Sequence, residues 1–306
     1  MSFITNRWPG RADRLNAQGI ELEEEGRLAE AERLYREAIK VKPDWSFPWF
    51  NLGLLCKRQR RWPESLRYNL KATELNPADE AAWWNLGIAA TALGDWRQAR
   101  AAWTGFGLEI PPGEGELNLD YGLVPIRLDP EDAGEVVWCA RIDPARAIIK
   151  NIPFAESNHR WGDLVLHDGE PRGHRIHGGE EVPVFDELEL IAASELSTYA
   201  AIVAAPAEAD SSDLEDLARQ RDLAAEDWSA NTRMICKACS EGTPHEHHDA
   251  PEAPWEPQRH FALAAPDQAS AIHLLEEWVA GGQERSYDSL ELLLAGELRE
   301  RPPTRH

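Results

Sequence analysis

Apolar positions between residues 12 and 111 recur every three or four residues, the period of an amphipathic helix. In "RLNAQGIELEEEGRLAEAERLYREAIKVKP" they recur on both sides of Gly26, which predicts two antiparallel helices joined by a tight turn. From Leu117 to about Ser197 the period changes to alternation. "GLVPIRL", "GEVVWCARI", "RAIIKNI", "GDLVLHD" and "EEVPVFDELELI" are β-branched runs bounded by Gly, Pro, Asp and Asn, and predict the short strands of a small barrel or folded sheet. The last third alternates again. "TYAAIVAAP" is predicted as a strand, "SSDLEDLARQRDLAAEDW" as a helix, and "NTRMIC" and "RHFALAAP" as strands. "DQASAIHLLEEWVAGG" follows as a helix closed by Gly-Gly, and "YDSLELLL" as a last strand. That order, βαββαβ, is the ferredoxin-like plan, which carries no function by itself.

The helical part repeats. Gly19, Gly53 and Gly87 are spaced by 34 residues, as are Pro43, Pro77 and Pro111, and as are Leu15, Trp49 and Trp83. Ala31, Ser65 and Ala99 keep the same step with small side chains, and so do Ala38 and Ala72. Each copy is a helical hairpin: the small residues let its helices approach closely, and the proline ends the second helix. The turn residues are Gly26 in the first copy, Arg60-Arg61 in the second and Gly94-Asp95 in the third. With "WFNLGLL" and "WWNLGIA" at matching offsets, residues 12–111 resemble the tetratricopeptide repeat (TPR) family. The expected fold is therefore multidomain α+β: a three-repeat TPR solenoid over residues 1–111, a small β-rich domain over 117–196, and a ferredoxin-like α/β domain with a zinc loop over 197–306.

The resemblance implies protein or peptide binding in a concave groove lined by the first helix of each repeat. By offset that groove shows Asn16, Ile20, Phe50, Asn51, Leu54, Trp84, Asn85 and Ile88. In the family, asparagines placed as Asn51 and Asn85 are commonly ones that hold the backbone of an extended peptide, and Phe50 and Trp84 would supply apolar anchors. Another part of the same chain could fill the trough instead. The chaperone-binding subtype of the family grips a terminal carboxylate with two lysines, an arginine and two asparagines. The corresponding positions here are Asn16, Ile20, Asn51, Ala81 and Asn85. Only Asn51 matches, which argues against that clamp.

Chemistry gathers in "ICKACSEGTPHEHHD", residues 235–249, which holds two of the four cysteines and three histidines. Thiolate and imidazole are zinc's ligand types, and C-x-x-C is the usual first half of a closed site. Gly242 and Pro244 let the chain turn back, so Cys236 and Cys239 with two of His245, His247 and His248 are expected to hold one structural zinc. A redox pair needs C-x-x-C at a helix start, and here it ends a strand. The H-x-E order of zinc deaminases and the H-E-x-x-H helix of proteases are absent. Cys56 and Cys139 sit in helical and strand patterns, where buried thiols are common. His159, Asp163, His167 and Asp168 offer a possible general base, but no nucleophile motif accompanies them, and turn residues with surface histidines account for the group.

The 306 residues carry 54 acidic against 32 basic side chains, a formal net charge of −22. Such a field repels nucleic acid and anionic lipid, so neither is expected as a direct ligand. No apolar run reaches membrane-spanning length, and the N-terminus lacks a secretory h-region, so a cytoplasmic protein is expected. These features converge on a non-enzymatic adaptor or scaffold. The alternatives are an acidic inhibitor or immunity-type protein that blocks a basic partner, and a metal-dependent hydrolase built on the Cys/His cluster.

Overall fold

A computed structural model describes residues 10–130, 134–231 and 254–297. The chain divides into two compact units, Met1–Leu117 and Asn118–His306.

The first unit is three helical hairpins: α1 (Arg11–Glu24) with α2 (Leu28–Val41), α3 (Ser46–Arg58) with α4 (Trp62–Leu75), and α5 (Glu80–Ala92) with α6 (Trp96–Phe106). The ladders in the sequence turn out to be joined. Trp49 Nε1 donates to Pro43 O at 3.0 Å and Trp83 Nε1 to Pro77 O at 2.9 Å, so each tryptophan holds the proline that ends the preceding repeat. A Cβ added at Gly19 would lie 2.5 Å from Tyr35, one at Gly53 2.5 Å from Asn69, and one at Gly87 2.5 Å from Trp103. Positions 35, 69 and 103 therefore form a further 34-residue ladder, whose members press on the glycines of the facing helix. The turns keep step too: Gly26, Arg60 and Gly94 all have positive φ, at 75°, 55° and 65°. Arg60 thus occupies a conformation that favours glycine. Repeat two differs inside as well. Ser65 Oγ donates to Gly53 O at 2.9 Å, and Asn69 Nδ2 donates to Ser65 O at 2.9 Å, a polar insertion where the other repeats place alanine and an aromatic ring.

The second unit opens with β1 (Leu123–Arg127), β2 (Val136–Arg141), β3 (Arg146–Ile149), β4 (Leu164–His167), β5 (Gly173–His177) and β6 (Glu180–Ala192). Strands β1-β2-β3-β4-β6 pair in that order, and a parallel β1–β6 pairing, Ile126 with Phe185 and Arg127 with Asp186, closes a small five-stranded barrel. Alternate residues turn inward, including Val124, Ile126, Val137, Cys139, Val165 and Phe185. Strand β5 was not expected, because "GHRIH" has no apolar alternation. It pairs with the first part of β6 across Gly178-Gly179, at φ 59° and 84°, a two-residue hairpin signal that was present in the sequence.

An antiparallel four-stranded sheet with helices follows: β7 (Ser197–Ala204), α7 (Glu208–Gln220), β8 (Ala224–Asp227), α8 (Trp228–Asn231), β9 (Gln258–Ala265), α9 (Gln268–Ala280) and β10 (Ser286–Leu294). The strand order is β10-β7-β9-β8. Helices α7 and α9 cover one face through Leu214, Ala218, Leu274, Leu275 and Trp278. The helix expected through Trp228 is shorter than that. It ends at Gln220, Asp222 takes φ 55°, and the rest of the run forms β8, which is the second strand. Most of "NTRMIC", expected in that role, lies outside the described residues. The segments expected as separate domains over 117–196 and 197–306 share a small core in which Ile152 of the barrel is buried with Ala262 and Ala264 of β9.

Candidate functional site

Helices α1, α3 and α5 carry the residues expected in a groove, and the structure sorts them by exposure. Ile20 is 41% exposed, and Phe50, Asn51 and Leu54 are half-buried. Phe47, not anticipated from the repeat offsets, is 55% exposed and lies one turn before Phe50. The spacing 47, 50, 51, 54 is a single helical face, and that periodicity was the signal that could have found it. Asn16 is buried, and its Oδ1 accepts from Asn51 Nδ2 at 2.9 Å. These two asparagines therefore tie α1 to α3.

The third repeat presents less. Asn85 is 5% exposed and Ile88 fully buried. Trp84 is half-buried, edge-on to Trp103 with centroids 5.0 Å apart and to Phe106 at 4.8 Å. It is thereby part of the packing that secures the last repeat. The accessible apolar row is accordingly Ile20, Phe47, Phe50 and Leu54, on the first two repeats. The Arg58 guanidinium nearby is engaged with Glu23 Oε1 at 2.5 Å, and Glu23 also accepts from the Tyr35 hydroxyl at 2.8 Å.

Charge is divided unevenly. Residues 1–117 hold 17 acidic and 16 basic side chains, and residues 118–306 hold 37 and 16, so nearly all the excess negative charge belongs to the second unit.

Cys236, Cys239, His245, His247 and His248 lie outside the described residues. Among the described residues no group of three or more His, Cys, Asp or Glu is placed to hold a metal ion. Cys56 and Cys139 are buried free thiols, and burial pushes Cys56 up to about 11, far from a reactive thiolate.

The histidine and aspartate cluster of the barrel corrects the expectation of surface side chains: His159, Asp163, His167 and Asp168 are all buried. Their hydrogen bonds nevertheless go to separate partners. His167 Nδ1 lies 2.8 Å from Asp168 O, its ring stacks on Phe185, and burial pushes it down to about 3, so the ring is neutral. Asp163 accepts the backbone amides of Ser194 at 2.6 Å and Arg160 at 2.9 Å. His159 is joined to Glu187 instead, at 2.8 Å. Of the four only His167 lies in a strand; His159, Asp163 and Asp168 sit in the connections that flank β4, where strand alternation gives no signal of burial.

No family model matches the chain, and no curated protein matches it in sequence. The N-terminal helical region does match tetratricopeptide-repeat domains among solved structures. One is the second TPR domain of Spaghetti (RPAP3) bound to an HSP90 peptide, 18% identical, covering 32% of this chain and 91% of that one with a TM-score of 0.31. Another is the TPR2B domain of yeast Sti1 in complex with an Hsp70 peptide, 21% identical, covering 31% of this chain and 77% of that one with a TM-score of 0.30. The ligands named there are those proteins' own.

Proposed function

We propose that this chain is a non-enzymatic protein-binding protein, an adaptor or scaffold, that receives an apolar segment of a partner protein on the α1–α3 face. The supporting observation is the row of Ile20, Phe47, Phe50 and Leu54, with two residues more than 40% exposed beside side chains that are half-buried. An aromatic that becomes fully buried at an interface is worth about 2 kcal/mol, or about thirtyfold in affinity. Arg58, one turn after Leu54 on α3, is already paired with Glu23, so the face favours apolar contact over capture of a charged terminus. A photo-crosslinking residue placed at Phe47 identifies the partner segment. Phe47→Ala with Phe50→Ala should then weaken that partner at least thirtyfold while the helical circular dichroism is kept. Retention within threefold by a folded double variant would sink the reading.

The acidic-inhibitor reading draws on the 37 acidic side chains of the second unit. It predicts binding that falls steeply with salt and ignores the α1–α3 variants. The stretch 235–249 remains the basis for a structural zinc held by Cys236, Cys239 and two of His245, His247 and His248, closed by four protein ligands. The hydrolase alternative requires the same cluster to keep an exchangeable water on the metal. The βαββαβ order of the last part is in keeping with a ferredoxin-like plan, which assigns no activity.

A further inference from the structure

One place where the barrel and the four-stranded sheet meet is the tetrapeptide Asn151–Phe154. Glu226 on β8 accepts from Asn151 Nδ2 at 2.9 Å and from the Ile152 amide at 2.6 Å. Glu135, just before β2, accepts the Phe154 amide at 3.1 Å. Trp228 donates its Nε1 hydrogen to Ile152 O at 3.1 Å, and its ring lies 4.8 Å from that of Phe154. Two acidic side chains, Glu226 and Glu135, thus hold one short segment close enough to feel each other's charge.

His159 follows a few residues later. Its Nε2 lies 2.8 Å from Glu187 Oε1 and its Nδ1 2.6 Å from Ser157 O. Both neighbours are acceptors, so both ring nitrogens must donate, and the ring is an imidazolium. The charged groups around the pair come from every neighbouring element. Glu135 faces Glu226 from β8, with His159 and Glu156 from the β3–β4 connection. His159 faces Glu187 from β6 and Asp163 from the turn before β4, and Asp163 in turn faces Arg160. Acidic groups outnumber the cations, so the cluster gains by holding protons.

We propose that this seam is a proton-controlled latch, closed while Glu135 carries a proton and His159 is an imidazolium, and loosened as both protons leave. Burial, with the charge of Glu226 adding to it, pushes the Glu135 carboxyl up to about 7 against the hydrogen bond from Phe154. Burial alone would lower His159, but the hydrogen bond and charge of Glu187 outweigh it and hold the ring above its ordinary range. A group that binds its proton more tightly in the closed state favours closure below that raised value, and the benefit is lost as pH rises through it. Both groups therefore loosen the seam with rising pH. A carboxyl moving from about 7 when closed to 4.5 when open raises the opening constant roughly tenfold between pH 6 and pH 8. His167 has the opposite sign, but it lies on β4 outside the segment and opposes only openings that expose that strand.

Hydrogen–deuterium exchange on the full chain at pH 6 and pH 8, corrected for intrinsic rates, tests the latch. The Ile152 and Phe154 amides should open at least tenfold more at pH 8, while the amides of α1–α6 stay level. Glu135→Gln, which mimics the protonated side chain, should cut the pH difference below threefold. Should that variant fail to fold, NMR titration of His159 in the unaltered chain takes its place, and the ring should titrate above the ordinary histidine value of 6.5. Equal protection at the two pH values, an undiminished difference in the folded Glu135→Gln protein, or a His159 that titrates at 6.5 or below would each overturn the proposal.

Discussion

Gly87→Ala isolates the contact on which the third repeat depends. Two forces oppose each other at this position. Alanine is the better helix former by about 1 kcal/mol, so in an open helix the change would stabilise. Here, however, the new methyl group would sit 2.5 Å from two ring carbons of Trp103 and 2.6 Å from a third. Trp103 is fully buried and held by Trp84, so the ring cannot swing aside as a flexible chain end would. Forcing a methyl into such a site costs typically 1–3 kcal/mol, and the closeness of three atoms puts this case at about 3. The net loss is therefore about 2 kcal/mol. Urea denaturation followed by helical circular dichroism should show the helical midpoint falling by about 1 M, taking a slope of about 1.5–2 kcal/mol per M. Pairing the change with Trp103→Leu should reveal a coupling of at least about 1 kcal/mol, since the smaller side chain leaves room for the methyl. A midpoint that stays level or rises in Gly87→Ala would refute the argument. It would mean that glycine recurs at this position without the facing ring demanding it.

Other outcomes follow from the same reasoning. Arg60→Gly should stabilise the helical unit by about 0.5–1 kcal/mol, read as a higher urea midpoint, since φ 55° costs a side chain about 1–2 kcal/mol and glycine's extra freedom when unfolded returns only part of that. A lower midpoint would show that the arginine side chain matters more than the backbone. Protein purified without a histidine tag should carry one zinc per chain by elemental analysis, and less than about half an equivalent would remove the Cys/His site from consideration. If the zinc is present, Cys236→Ser should lower the stability of the second unit and leave the helical transition unmoved, because a closed site contributes its binding free energy to folding.

Much of the first unit could be read from the sequence alone. Repeat length, the prolines that end each hairpin and the close glycine approach are local properties, and a 34-residue period shows them three times over. Each repeat contacts chiefly its neighbours, so the pattern survives translation into structure almost unchanged. The order of strands and helices in the last part was legible for the same reason, up to the point where "LAAED" broke from the preceding helix at Asp222 to form β8. Which side chains remain accessible was a different matter. Asn16 and Asn51 occupy groove offsets but bond to each other, and Trp84 turns toward Trp103 and Phe106, whereas Phe47 is left open. Periodicity gives the face of a helix on which a residue lies, and says nothing of what that face meets. The buried surroundings of His159 and His167 likewise come from β6, where Glu187 meets the first ring and Phe185 stacks on the second. The grip of Glu226 on Ile152 spans 74 positions. Short-range spacing cannot encode such meetings, because the free energy that decides them belongs to groups brought together only by the completed fold.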